Sequence, residues 1–203
     1  MNHYTLMQCA IPKEQMISFI TACNNNLDYF VTVDDLLGDS EPHSLSEIND
    51  IFDLSDPQFK TIAVRINPYK RLVLAYLKSI NPLVDAERKL GPNYVDYTVC
   101  NTFSEFLDLY LSPSNPNFNL HSLNVSTLYE PISTASISYL LEFDTFSTDV
   151  KTIPEFANIE DVSYLAEAQA MCANYKELYT EADKAKVADL FAVDLASGNY
   201  TFE

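Results

Sequence analysis

Eight carboxylates, Asp34, Asp35, Asp39, Glu41, Glu47, Asp50, Asp53 and Asp56, lie between Tyr29 and Phe59 with no Lys or Arg among them. Acids gathered this closely have two chemical uses. Hard divalent cations take clustered oxygens, and Asp34, Asp35, Asp39 and Glu41 could supply them. Their spacing does not follow an EF-hand loop, so a solvated acidic turn is the simpler reading and no metal is expected. The other use is electrostatic. A face of unopposed acids complements a basic protein surface, and Asp34, Asp35, Asp39, Glu41, Glu47, Asp50 and Asp53 are the candidate partner-binding residues.

The bases are segregated as well. Lys60, Arg65, Lys70, Arg71, Lys78, Arg88 and Lys89 are seven of the twelve in the chain, and all fall within residues 60–89. The whole chain carries 29 acids against those 12 bases, a formal charge of −17. Affinity for a phosphate backbone comes from Lys and Arg displacing counterions, so direct nucleic-acid binding is not expected. A basic protein, or copies of the chain itself, are the expected partners. Lys70, Arg71 and Lys78, on the outer face of a helix, are a secondary contact.

Other chemistry is sparsely provided. Gly38, Gly91 and Gly198 are the only glycines. Each follows a helical pattern and is explained as a C-cap, which leaves none for a phosphate-cradling loop. His3, His43 and His121 are far apart and form no HExxH or HxH pair. There is no GxSxG elbow and no SxxK. Cys9, Cys23, Cys100 and Cys172 show no CxxC pairing and read as free thiols of a reducing compartment. No catalytic residue and no cofactor are therefore expected. No signal peptide or membrane span is read, which suggests a cytoplasmic protein or one assembled into a particle made there.

The elements that must hold these residues are legible from period and punctuation. Asn67-Pro68 and Asn81-Pro82 are helix starts. Tyr69, Leu72, Val73, Tyr76, Leu77 and Ile80 share one face of the first helix, opposite Lys70, Arg71 and Lys78. Ser44 with Glu47 and Thr102 with Glu105 are capping boxes. Pro12 opens a helix through Cys23. Residues 27–33 and 94–100 have strand character, and Ala135–Phe146 leans to strand over buried helix. Residues 3–11 read as a strand or the lead-in to a helix, and 60–66 as a strand or an extension of the helix that follows, with Pro68 arguing for a break. Ser112–Asn119 and Ser147–Asn158 read as loops. Glu160–Tyr179 carries a continuous apolar stripe, Thr180 with Asp183 restarts a helix to Ser197, and together they read as a hairpin over 159–198.

The expected fold is α+β and helix-rich, with short strands packed on amphipathic helices and a C-terminal helical hairpin. An N-terminal α+β portion, 1–111, and a C-terminal portion, 120–203, are expected to form one continuous domain. The expected function is non-enzymatic protein–protein contact. One form of it is an inhibitor that mimics nucleic acid in the basic groove of a nuclease or defence protein. The alternatives are a phage or viral assembly subunit, and an enzyme with no recognisable motif.

Overall fold

The computed structural model describes residues 3–7, 30–32, 59–80, 95–115, 139–154, 157 and 165–202. The fold is α+β and helix-rich. Two compact units make it up, and the chain visits each twice: Met1–Ile66 with Val125–Ala170, and Asn67–Asn124 with Met171–Glu203.

The first unit is organised on a parallel sheet. Strands β1 (His3–Met7), β2 (Phe30–Thr32), β3 (Phe59–Arg65) and β4 (Tyr139–Glu142) pair in the order β2-β1-β3-β4. Parallel neighbours need long crossovers, and the sequence separations between these strands supply them. Tyr4 faces Phe30 and Lys60 across β1, and Arg65 faces Glu142 across β3 and β4. That last pair is an ion pair, in which Arg65 Nε donates to Glu142 Oε1 at 2.8 Å. In β4 Leu141 is buried and Leu140 exposed, the alternation of a strand covered on one side.

Residues 147–158, expected as loop, instead begin within a helical turn, α1 (Phe146–Asp149), followed by a 3-10 turn at Val150–Thr152. Asp149 explains the difference. Its carboxylate accepts the Glu142 N–H at 3.1 Å and the Thr145 hydroxyl at 2.7 Å, closing the chain into a turn directly after β4. Phe146, Val150 and Ile153 are thereby all buried.

The second unit is helical. Helix α2 (Pro68–Ser79) starts as expected, with Asn67 Oδ1 accepting the Tyr69 N–H at 3.0 Å. The expected strand at 94–100 is a 3-10 turn, Tyr97–Val99, because Asp96 accepts from both the N–H and the hydroxyl of Thr98. Helix α3 (Phe103–Tyr110) is capped by Thr102, whose hydroxyl accepts the Glu105 N–H. The return bond of this box is shifted by one residue, since Glu105 takes the N–H of Asn101.

Of the C-terminal stripe, Leu165, Ala168, Cys172, Tyr175 and Tyr179 are buried while Met171 and Leu178 are exposed, and the backbone is not one helix. Helix α4 (Ala166–Met171), which belongs to the first unit up to Ala170, stops, and in the second unit a 3-10 turn at Tyr175–Leu178 leads to Thr180. Helices α5 (Glu181–Leu190) and α6 (Ala192–Gly198) follow, parted at Phe191, where one helix to Ser197 was expected. Thr180 and Asp183 make the full reciprocal capping box.

The core of this unit is aromatic. Phe106 lies 4.9 Å from Tyr110, 5.5 Å from Tyr97 and 5.2 Å from Tyr76 between ring centroids. Phe103 lies 4.7 Å from Tyr179, edge to face. Each such pair adds roughly 0.5–1.5 kcal/mol beyond its buried area. The expected helices at 12–23, 44–53 and 82–90 lie outside the described residues, as do His43, His121, Cys9 and Cys23.

Candidate functional site

The seven acids of the expected partner face, Asp34, Asp35, Asp39, Glu41, Glu47, Asp50 and Asp53, lie outside the described residues. Lys78 belongs to α2, with its side chain outside them as well. The structure does place Lys70 and Arg71, and it separates them.

Arg71 is not on the outer face. It is 3% exposed, and Leu74, one turn further along α2, is also buried. The buried arc of the helix is thus wider than the stripe of Tyr69, Leu72 and Val73 alone. Arg71 Nη2 lies 3.5 Å from Asp194 Oδ2, and the guanidinium carbon lies 5.0 Å from the ring centroid of Phe191. One cation therefore engages both the α5–α6 junction and α6 itself, and it cannot reach a partner. Lys70 remains half-buried at the edge, its Nζ 5.7 Å from the ring centroid of Tyr175. The Cys172 thiol points at its carbonyl oxygen, 3.6 Å away.

The built feature of this unit is a ring-lined seat for the chain beyond α6. Asn199 takes the left-handed conformation, φ 51°, which ends the helix. The expected C-cap glycine is one residue earlier. Gly198 closes α6, and its missing Cβ is what lets the Tyr200 ring lie against the backbone there. Phe202 then enters a cage of three tyrosines, with centroids 4.9 Å from Tyr69, 5.6 Å from Tyr175 and 5.4 Å from Tyr179. Lys184 Nζ stands 4.5 Å from the same ring. Asn67 Nδ2 donates to the Thr201 carbonyl at 3.1 Å, and the Tyr175 hydroxyl donates to the Phe202 carbonyl at 3.2 Å. Neither Asp194 nor this segment was singled out in the sequence. The available signal for Asp194 was an acid flanked by Val193 and Leu195 in an Ala-rich helix.

Burial sets the titration of the groups around the cage. It raises the Tyr179 hydroxyl far above its ordinary value, with Tyr69 and Asp183 adding to the effect. That hydroxyl donates to the Tyr69 carbonyl at 2.9 Å. Tyr69 is raised by burial as well, against an opposing pull from Lys184. Burial also pushes Asp183 upward, but hydrogen bonds outweigh it and hold the carboxyl below its ordinary value. Asp183 accepts from the Thr180 N–H and hydroxyl and from the Ser104 hydroxyl at 2.7 Å, with Lys186 nearby in charge. Burial, then Glu105 and Asp96, raises the Cys100 thiol, so its thiolate is scarce at neutral pH.

Charge on the described surface is uneven. Glu105, Asp108, Asp144, Glu167, Glu177, Glu181 and Asp189 are exposed, against Lys151 and Lys176. Arg65, Lys184 and Lys186 are engaged with Glu142, Glu181 and Asp108. Among the described residues no three His, Cys, Asp or Glu side chains gather to hold a metal ion, and no helix is long and apolar enough to cross a membrane. No protein-family model, no curated protein and no solved structure matches the chain.

Proposed function

We propose that the protein is a non-enzymatic, acidic protein–protein interaction module whose partner presents a basic surface of the kind that handles nucleic acid. The observation that carries this reading is the use of its cations. The net charge is −17, and Arg65, Arg71, Lys184 and Lys186 each sit against a carboxylate of the same chain. Among the described residues these four cations are thus paired within the chain, while most exposed ionisable groups are acids. A surface of that sign draws a basic groove over several ångströms and repels phosphate. The acids between Asp34 and Asp53 supply the densest such stretch of sequence.

The test is charge reversal. Asp34→Lys, Asp35→Lys and Asp39→Lys are combined, and native folding of the variant is checked by circular dichroism. Wild type and variant are then used to capture partners from a lysate of the source cell, washed at low and at high salt. The expected result is a basic partner held by the wild type at low salt, released at high salt, and not captured by the variant. Equal capture by both proteins would remove the acidic stretch as the contact. Capture that survives high salt would remove the electrostatic mechanism.

A further inference from the structure

We propose that Tyr200–Phe202 is an exchangeable latch, and that its seat accepts the same segment from a second copy of the chain. The seat recognises a short peptide by two means. Tyr69, Tyr175 and Tyr179 present edges and faces to one aromatic ring, with the Lys184 ammonium beside it. Asn67 and Tyr175 donate to two successive backbone carbonyls, Thr201 and Phe202. Ring capture together with carbonyl capture is the mode in which proteins bind an extended segment of another chain.

The latch is set off from the helix before it by that helix's left-handed C-cap. Asn199 is exposed and left-handed, and residues 200–202 form no regular element. Rotation at this one residue, at the cost of the Tyr200 N–H bond to the Leu195 carbonyl, redirects Tyr200–Phe202, while α6 stays anchored through Asp194 and Arg71. The occupant that fits the seat is written in the chain itself. A second copy brings the identical Thr-Phe pair, and every contact made in cis can be remade in trans without a new surface. That is the geometry of a segment swap. The proposal stands apart from the acidic-partner reading, because the reversals at Asp34, Asp35 and Asp39 touch none of these residues.

Phe202→Ala empties the ring seat. The probe is a synthetic peptide of residues 197–203, Ser-Gly-Asn-Tyr-Thr-Phe-Glu, titrated by calorimetry into the variant and into the unmutated protein. The variant should bind at least about tenfold more tightly, because the resident latch competes at a millimolar effective concentration. A folded variant that binds no better than the unmutated protein would overturn the proposal.

Two measurements on the unmutated protein cover the case in which the variant fails to fold. The Tyr200 amide, bonded to the Leu195 carbonyl at 2.9 Å, should exchange its hydrogen at least about tenfold faster than the amides of Phe106 and Val187. Exchange at the same rate would mean the latch opens only when the unit unfolds, and would overturn the proposal. Concentrated protein should sediment partly as dimer, and excess peptide should return it to monomer. Monomer at every concentration, or a dimer indifferent to the peptide, would refute the exchange between copies.

Discussion

Burying the Arg71 guanidinium takes a full charge out of water, at a cost of several kcal/mol that pairing must offset. Asp194 supplies the counter-charge, and both side chains are almost fully enclosed, at 4% and 3% exposure. At 3.5 Å the contact is long for a charged hydrogen bond, so the pair holds more by charge and by the Phe191 ring than by geometry. Removing one partner is then worse than removing both. Arg71→Ala should cost about 3–5 kcal/mol, because it takes the guanidinium charge away from a buried carboxylate. The double variant Arg71→Met, Asp194→Leu should recover much of that loss, since two apolar side chains of similar volume need no counter-charge. Urea unfolding of both variants checks the expectation. A loss under about 1 kcal/mol for Arg71→Ala would mean that water reaches the pair.

Local signals carried over to the elements more faithfully than long-range ones. Asn67-Pro68, Thr102 and Thr180 are caps whose mechanism lies within four residues, and all three stand in the structure. They differ in strength. Thr180 makes a closed box with Asp183, whereas the return bond of Thr102's box goes to its neighbour Asn101. Thr102→Ala should cost about 1 kcal/mol, the ordinary worth of a cap. Thr180→Ala should cost more, about 2 kcal/mol, because it also strips a partly buried hydroxyl bond from the Asp183 carboxylate. Thermal unfolding of the two variants gives the ranking, and the reverse order would show that the closed box adds nothing.

What the sequence hid at this scale follows from tertiary bonds. Leu165, Ala168, Cys172, Tyr175 and Tyr179 keep helical spacing and are all buried, yet the backbone breaks after Met171. Periodicity reported these five buried positions, but neither the exposure of Met171 and Leu178 nor the break in the helix. The residues of β3 allowed either a strand or an extension of α2, and the parallel neighbours that decide it were not legible, because pairing between β3 and β4 spans more than seventy residues. Arg71 was misplaced for a related reason: a charge on the flank of an apolar stripe reads as solvent-facing until its partner, Asp194, is brought to it. The acidic stretch was the plainest signal of all, and it is legible as charge density whatever backbone carries it.

A charge of −17 on 203 residues makes the folded state repel itself, and two opposing effects then govern its response to acid. Lowering the pH from 7 toward 5 begins to neutralise carboxylates and relieves the repulsion, which favours the compact state. Asp183 works the other way. Its folded value lies below its unfolded one, so the stability it contributes is complete above the unfolded value, near 3.9, and is lost only as the pH falls through the lower folded value. The two effects therefore act in different windows. Melting temperature should rise or hold between pH 7 and 5, and should fall below about pH 4. Asp183→Asn should lower stability by a constant amount above about pH 5, and the gap to wild type should close as the pH falls below 4. Tyr179 bounds the alkaline side with the opposite sign. Its value is raised on folding, so its contribution is complete below about pH 10 and is lost as the pH climbs beyond that. Salt separates global repulsion from these local bonds. Raising sodium chloride from about 0.05 to 0.5 M at pH 7 should raise the melting temperature, because screening weakens the repulsion of many exposed acids. It should cost little elsewhere, since Lys186–Asp108 and Lys184–Glu181 are surface pairs worth under about 1 kcal/mol each. A melting temperature that falls with salt would mean that these attractions outweigh the repulsion, and that the excess of acid is locally compensated rather than held in reserve for a basic partner.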